Sequence, residues 1–167
     1  AFALLDQELL RARPDAQPEY RWAGIRLQRW RDLLHVDAAE NAPMPDFDCE
    51  WDGESLLALP GGGSLELLHP QQGAGLELPA SLGPLRVGNR RGGERIRLPG
   101  REHSHALKDC LLQAGLPPWL RRRMPLLRAA DDELLAAGDR IVSDRWQREA
   151  GTLGLRLLWT PPALLRD

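Results

Sequence analysis

Lysine is nearly absent from this chain, because only Lys108 among its 22 Lys and Arg residues is a lysine. Codon usage in a GC-rich genome explains such a bias toward arginine. We favour that explanation over a general selection for guanidinium groups, which bind phosphate in a planar, bidentate geometry. Lys108 is the exception to the bias, which makes it a candidate position at which an ammonium group is required.

Cysteines and long apolar runs are also scarce. Cys49 and Cys110 lie far apart without the spacing of a redox or zinc motif, which predicts reduced thiols and excludes a disulfide framework. No apolar run approaches the roughly 20 residues that span a bilayer, and no secretory signal is visible, so we expect a cytoplasmic protein with no membrane partner. The chain begins at Ala1 inside a helix-like pattern over 1–12, which we interpret as a fragment of a longer protein.

Motifs for catalysis or metal binding are not found either. The Gly-rich run 60–64 superficially resembles a phosphate-binding loop, but a strand-like pattern follows it, so we predict a hairpin turn. His103 and His105, beside Glu102, are two residues apart, which does not place both rings on one helix face, and no further ligand is near. We therefore predict no catalytic residue, no metal ligand and no cofactor in this chain.

What the chain has in excess is local positive charge. Eleven basic and only three acidic residues occur between Arg86 and Arg128, a local balance of +8 in a chain whose net charge is −2. Residues 1–85 carry −8 and residues 129–167 carry −2. A positive surface on an acidic body focuses the electrostatic potential on one region, which is typical of proteins that bind polyanions such as nucleic acids.

The order of the patterns predicts an α+β fold. We expect a mainly antiparallel sheet with two short helices between its strands, preceded by a helix and a β-hairpin from a neighbouring domain. The first of the two helices runs to Ala114 with Ser104 as its N-cap, and the second, opened by Pro117 or Pro118, runs to Met124. An acidic, Pro-containing stretch that starts at Asp37 is predicted to hold the linker. The predicted strands are 20–22, 25–30, 33–36, 49–51, 55–59, 64–69, 76–78, 85–89, 94–98, 126–129, 133–137, 140–143 and 153–159.

Two arginine-rich strands are predicted on either side of a Gly-Gly pair. Arg95 and Arg97 alternate with aliphatic residues and therefore share one face of their strand. We expect the preceding strand, with Arg86 and Arg90, to pair with it and to bring four arginines onto one sheet face. Such a face either contacts a polyanion or is a solvated surface neutralised by acidic residues.

Three consecutive arginines close the second predicted helix. Cations near a helix C-terminus are favoured by about 0.3–1 kcal/mol each, but neighbouring residues point in different directions, so at least one of these arginines is expected to meet phosphate. Trp119 either fills the core or stacks on a base, and we favour the core. The candidate nucleic-acid-binding residues are Arg90, Arg91, Arg95, Arg97, Lys108, Arg121, Arg122 and Arg123.

These segments together resemble the C-terminal domain of the bacterial tRNA(Ile)-lysidine synthetase family. Spacing, order and residue type agree over residues 85–159, and segment 20–36 more weakly resembles the end of that family's helical substrate-binding domain. The matching runs are Leu85–Arg97 (LRVGNRRGGERIR), Leu107-Lys108, Gly115–Arg121 (GLPPWLR), Met124–Leu127 (MPLL), AAGDRIV over 136–142 and GLRLLW over 154–159.

The resemblance implies a ligase that uses ATP, with Mg²⁺, to attach lysine to the wobble cytidine of isoleucine tRNA. The family's catalytic N-terminal domain carries a Ser-Gly-Gly-x-Asp-Ser loop that this sequence lacks, so the chain is expected to be inactive alone. The implied partners are the tRNA acceptor stem and the protein's own N-terminal catalytic domain. The implied organisation is the end of the substrate-binding domain with a β-hairpin (1–40), a linker (41–48) and a C-terminal tRNA-binding domain (49–167).

Two other interpretations stay open at this point. In the first, the chain is a structural or dimerisation module whose basic face binds the acidic half of a partner subunit. In the second, the chain is the RNA-binding domain of another RNA-modifying enzyme. A salt titration of tRNA binding separates the first alternative from the resemblance, because a protein-binding face would show no strong salt-dependent affinity for tRNA.

Overall fold

The computed structural model describes residues 18–38, 45–70 and 78–162, together with Leu9, Arg13 and Ala16. The chain divides into unit 1, Ala1–Pro43 with Ala163–Asp167, and unit 2, Met44–Pro162. The helix predicted over 1–12 and most of the strand predicted over 76–78 lie outside the described residues. The boundaries 1–40, 41–48 and 49–167 stay predictions.

Unit 1 contains a three-stranded antiparallel sheet made of β1 (Glu19–Trp22), β2 (Ile25–Trp30) and β3 (Leu33–Ala38), in that order. Asp37, which the sequence placed at the start of the acidic stretch, lies in β3 opposite Arg26. It is buried, and it accepts hydrogen bonds from Arg26 Nε at 2.8 Å and Nη2 at 2.5 Å. The prediction that the acidic linker stretch starts at Asp37 was wrong, because the ion pair with Arg26 lets this carboxylate be buried inside the sheet.

Unit 2 is built on a five-stranded antiparallel sheet with the order β12-β11-β10-β7-β4. A second sheet has the order β13-β6-β5, and β8 and β9 form a separate two-stranded ribbon. The strands are β4 (Asp48–Trp51), β5 (Leu57–Ala58), β6 (Ser64–Leu68), β7 (Leu85–Gly88), β8 (Arg95–Ile96), β9 (His105–Ala106), β10 (Leu126–Arg128), β11 (Leu134–Ala137), β12 (Ile141–Val142) and β13 (Arg156–Thr160).

Three short helices accompany these strands: α1 (Leu107–Gln113), α2 (Pro118–Arg123) and α3 (Asp144–Glu149). The first two lie between β9 and β10 along the chain, as the sequence pattern predicts, so the mainly antiparallel α+β class is confirmed. All four residues of β11 are buried. The apolar residues of α1 and α2 are buried as well, among them Leu107, Leu111 and Leu120. Removing such aliphatic side chains from water supplies roughly 1.5–3 kcal/mol each and holds the basic segment on a packed base.

Two local predictions were wrong. Ser104 does not cap α1, because β9 continues up to Ala106, which precedes the first helical residue. Helix α3 was not predicted, although Ser143 followed by Asp144 is a usual start signal. Its Ser143 Oγ accepts a hydrogen bond from Trp146 N at 3.0 Å, and Trp146 is buried, so one turn is fixed by a cap and one anchor.

Candidate nucleic-acid interface

The predicted pairing of the two arginine-rich strands is wrong. Strand β7 pairs with β4 and β10, whereas β8 pairs with β9, so Arg86 does not share a sheet face with Arg95 and Arg97. Arg90 lies beyond the end of β7, in the segment that leads to β8. The cause is that β4 and β10 occupy both edges of β7, so β8 has no free edge to pair with, and the loop before β8 folds around the carboxylate of Glu94.

Glu94 organises the loop from Arg90 to Glu94. Its Oε1 accepts hydrogen bonds from the main-chain N–H groups of Arg91 and of Gly92, the latter at 2.8 Å, and Oε2 lies 3.9 Å from Arg90 Nε. Only 4% of the Glu94 side chain is exposed. Burial by itself would raise the pKa of this carboxyl, but the two N–H groups and the Arg90 charge outweigh it and hold the pKa below its ordinary value.

The end of α2 meets this loop through a single hydrogen bond. Arg90 Nη1 donates to the main-chain oxygen of Arg121 at 3.2 Å. Arg121 Nε is buried and has no hydrogen-bond partner among the described residues. The pKa of Arg121 is lowered by burial first and then by the positive charges of Arg90 and Arg122, which places these like charges close together.

The start of α1 meets the same loop. Leu107 N, at the first helical position, donates to the main-chain oxygen of Glu94 at 2.9 Å, and the exposed Lys108 follows directly. The loop therefore joins three basic segments that are separated along the chain. We call their charged residues the basic cluster: Arg90, Arg91, Lys108, Arg121 and Arg122.

Other arginines of the +8 segment are paired with acidic residues from outside it. Arg86 Nη2 lies 2.9 Å from Asp48 Oδ1, and Arg128 Nε lies 3.8 Å from Asp132 Oδ1. Arg91 is a weaker case, because its Nη2 lies 3.9 Å from Asp48 and its side chain is 64% exposed. These side chains line a polar cleft of about 190 Å³. The local balance of +8 thus overstates the positive charge that is available to a ligand.

The remaining predicted site residues differ in how they are engaged. Arg95 lies on β8 and donates to the hydroxyl and main-chain oxygen of Ser104, with Nε at 2.9 Å from the hydroxyl. Arg97 is exposed just beyond β8. Arg123 Nη1 donates to the main-chain oxygen of Gly61 at 3.0 Å, so this arginine ties α2 to the turn before β6. Trp119 is buried, as predicted.

The glycine-rich run is a turn that packs closely against its own chain. It joins β5 to β6 as the predicted hairpin turn, with Leu59 N donating to Gly63 O at 3.1 Å. A Cβ at Gly63 would lie 2.3 Å from the main-chain oxygen of Thr160, so the turn is filled by its own chain.

The described part of the chain offers neither a cluster of metal ligands nor a membrane-spanning helix. No group of three or more His, Cys, Asp or Glu side chains within 18–38, 45–70 and 78–162 is placed to hold a metal ion. No helix in those ranges is long and apolar enough to cross a membrane. The residue that the sequence pattern missed is Glu94, and the signal for it was an acidic residue directly after Gly92-Gly93 in a run of arginines.

Comparisons with known proteins agree on one family. The family model described as the TilS substrate C-terminal domain matches residues 85–159. A tRNA(Ile)-lysidine synthase from Xanthomonas campestris pv. campestris (strain 8004) is 43% identical over 162 residues, which are 95% of this chain and 35% of that protein. One from Xylella fastidiosa (strain Temecula1 / ATCC 700964) is 40% identical over 140 residues, which are 84% of this chain and 31% of that protein.

A solved structure agrees with the sequence relatives. The crystal structure of a TILS C-terminal domain superposes with a TM-score of 0.54 at 27% identity, and the match covers 74% of this chain and 100% of that one. The chain spans about a third of the length of the curated relatives that it matches. The chain belongs to the tRNA(Ile)-lysidine synthase family, and its residues 85–159 match that family's C-terminal domain.

Proposed function

We propose that this chain is the tRNA-binding C-terminal part of a tRNA(Ile)-lysidine synthase, which in the whole cytoplasmic enzyme uses ATP and Mg²⁺ to attach lysine to the wobble cytidine of isoleucine tRNA. In this proposal the chain contacts the acceptor stem, works together with the enzyme's own N-terminal catalytic domain and carries no catalytic residue. Adenylation is assigned to that other domain, because the Ser-Gly-Gly-x-Asp-Ser loop is missing from this sequence.

The observation that carries the proposal is the position of Arg121. Its guanidinium is partly buried beside Arg90 and Arg122. Burial is the larger cause of its lowered pKa, and these two positive charges are the smaller one. Positive charges held close together repel each other, and a bound anion relieves that repulsion. The hydrogen bond from Arg90 to the Arg121 carbonyl keeps these charges close. A phosphate oxygen between two guanidinium groups accepts charge-assisted hydrogen bonds from both.

The physical properties of RNA favour recognition through the backbone. An A-form helix hides its base edges in a deep, narrow major groove, so duplex RNA is bound mostly through phosphates, 2′-hydroxyl groups and shape. Arginine and lysine side chains on a rigid base suit that task but carry little sequence information. We therefore expect the basic cluster to follow the phosphates of a stem, with Arg95 and Arg97 on β8 as further contacts.

A competition experiment tests which part of tRNA is bound. The 167-residue chain is mixed with labelled isoleucine tRNA and challenged with either an acceptor-stem minihelix or an anticodon stem-loop of equal charge. We expect the minihelix to displace the tRNA at concentrations at least several-fold lower. Equal competition by both RNAs would contradict acceptor-stem recognition, and incorporation of lysine by this chain alone would contradict its non-catalytic role.

A further inference from the structure

We propose that Glu94 is a positioning residue that holds the basic cluster in its phosphate-binding arrangement, an inference that rests on the proposed function. An acidic side chain in the most basic segment of the chain is unexpected, because it weakens the attraction of that segment for a polyanion. Glu94 is nevertheless almost completely buried, so its carboxylate faces protein and not the ligand.

The side chain of Glu94 fixes the loop from within. One carboxylate oxygen accepts the N–H groups of Arg91 and Gly92, and the other lies 3.9 Å from Arg90 Nε. Gly92 and Gly93 both have positive φ, at +92° and +81°, and a Cβ at either would meet nothing within 4 Å. The two glycines are therefore required by the backbone conformation and not by lack of space, and the carboxylate selects one conformation of an otherwise permissive segment.

The main chain of Glu94 and the side chain of Arg90 extend this order to both helices. The Glu94 carbonyl accepts Leu107 N at the start of α1, which fixes the position of Lys108. Arg90, oriented by the Glu94 carboxylate, donates to the carbonyl of Arg121 near the end of α2. The Glu94 carboxylate thus acts on the loop through two hydrogen bonds and on Arg90 through charge, whereas the start of α1 is held by the Glu94 main chain.

Positioning and simple attraction predict opposite results for the loss of this charge. Glu94→Gln removes a negative charge from a tRNA-binding surface, so attraction alone predicts tighter binding and an unchanged or steeper salt dependence. If Glu94 pre-organises the cluster, the same change weakens the two loop hydrogen bonds, which lose their charged acceptor, and removes the negative charge beside Arg90. Binding then has to supply the free energy that orders the loop. We expect affinity for isoleucine tRNA to fall roughly tenfold, with a shallower salt dependence.

Two matched variants separate these accounts. Glu102→Gln removes an exposed acid of the same segment and should leave affinity unchanged or slightly higher. Glu94→Asp keeps the charge but shortens the side chain by one methylene, so attraction predicts no change whereas positioning predicts weaker binding. The Asp variant also decides the question if the Gln variant does not fold, which circular dichroism would reveal.

A double-mutant cycle tests the route through Arg90. In an Arg90→Gln background the effect of Glu94→Gln on affinity should shrink, because the two residues act through one arrangement. In the full-length enzyme, Glu94→Gln should raise the Michaelis constant for tRNA and leave kcat nearly unchanged, a split that a general loss of structure would not give.

The outcomes distinguish this inference from the proposed function. Weaker binding by both Glu94 variants, with Glu102→Gln unchanged, supports positioning. Binding by Glu94→Gln that is as tight as that of Glu102→Gln overturns positioning, and if Arg121→Gln still weakens binding the proposed function stands. If Arg121→Gln and both Glu94 variants all bind tRNA like the parent chain, the proposed function itself fails.

Discussion

Arg90 donates its Nη1 hydrogen to the main-chain oxygen of Arg121 at 3.2 Å, and this bond joins two basic segments that lie about thirty residues apart. It uses one N–H of Arg90 and none of Arg121, and the buried Nε atoms of both arginines have no hydrogen-bond partner among the described residues. The bond explains how a loop after β7 and the end of α2 contribute to one surface without sharing a sheet.

Charge reversal in the basic cluster should reduce tRNA use by the full-length enzyme. Lys108→Glu or Arg121→Glu is expected to raise the Michaelis constant for tRNA while the dependence on ATP stays nearly the same, because adenylation is assigned to another domain. Steady-state lysidine formation measures both constants. Arg148→Glu on α3, an exposed arginine outside the basic segment, is the matched control and should change neither.

Arg145 should contribute to stability and not to tRNA binding. Its Nη1 lies 2.6 Å from Asp131 and 2.9 Å from Glu133, and its Nη2 donates to the Ser81 carbonyl at 2.6 Å. The hydrogen bonds to these carboxylates raise the pKa of the Arg145 guanidinium. Arg145→Met should lower the free energy of unfolding, because the largely buried guanidinium that joins Asp131, Glu133 and the Ser81 carbonyl is lost. Urea denaturation measures this loss, and an unchanged midpoint would show that solvent replaces the network at no cost.

Glu94 should make stability depend on pH in the acidic range. Its pKa is held below the ordinary 4.5 in the folded protein, so its contribution is present above that value and is lost as pH falls through the lower, folded-state pKa. The difference in unfolding free energy between the parent chain and Glu94→Gln should thus be full at pH 7 and narrow below about pH 4.5. Denaturation curves between pH 3 and 7 measure it, and a difference that is independent of pH would contradict the prediction.

Substitution of Gly92 should act through backbone strain. Its φ of +92° is disfavoured for residues with a Cβ although space is available there, so Gly92→Ala should cost about 1–2 kcal/mol of stability and weaken tRNA binding by loosening the loop. Gly100→Ala is the matched control, because its φ of +70° carries the same strain outside the basic cluster. Equal effects of the two variants on tRNA binding would remove the loop from the interface.

The sequence predicted most strands of unit 2, because alternation of apolar and polar residues reports burial on one face, but it did not predict β9. Strand β13 and helix α2 are examples, since period-two burial and an N-terminal Pro-Pro identify them from local sequence alone. The partner of β7 was not predictable in this way. A hairpin across Gly92-Gly93 looked favourable locally, and the long-range pairings of Val87 with Leu127 and with Cys49 decide against it.

The candidate site was predicted in composition and not in arrangement. Arginine counts identified the segment, but Asp48 and Asp132, which lie outside it, neutralise Arg86 and Arg128. The strand register places Asp48 beside Arg86, and a turn places Asp132 beside Arg128. A count of charged residues along the sequence does not reveal such pairs. The role of Glu94 was hidden for the same reason, because its donors are main-chain N–H groups that every sequence possesses.

The most direct measurement is the salt dependence of tRNA affinity for the parent chain and for Arg121→Gln. If about four to six phosphates are neutralised, log K should fall against log salt with a slope of about −3 to −5, and the Arg121→Gln chain should bind more weakly with a slope shallower by about 0.7–0.9. An affinity that does not depend on salt, or a variant whose curve superposes on that of the parent chain, would contradict the account.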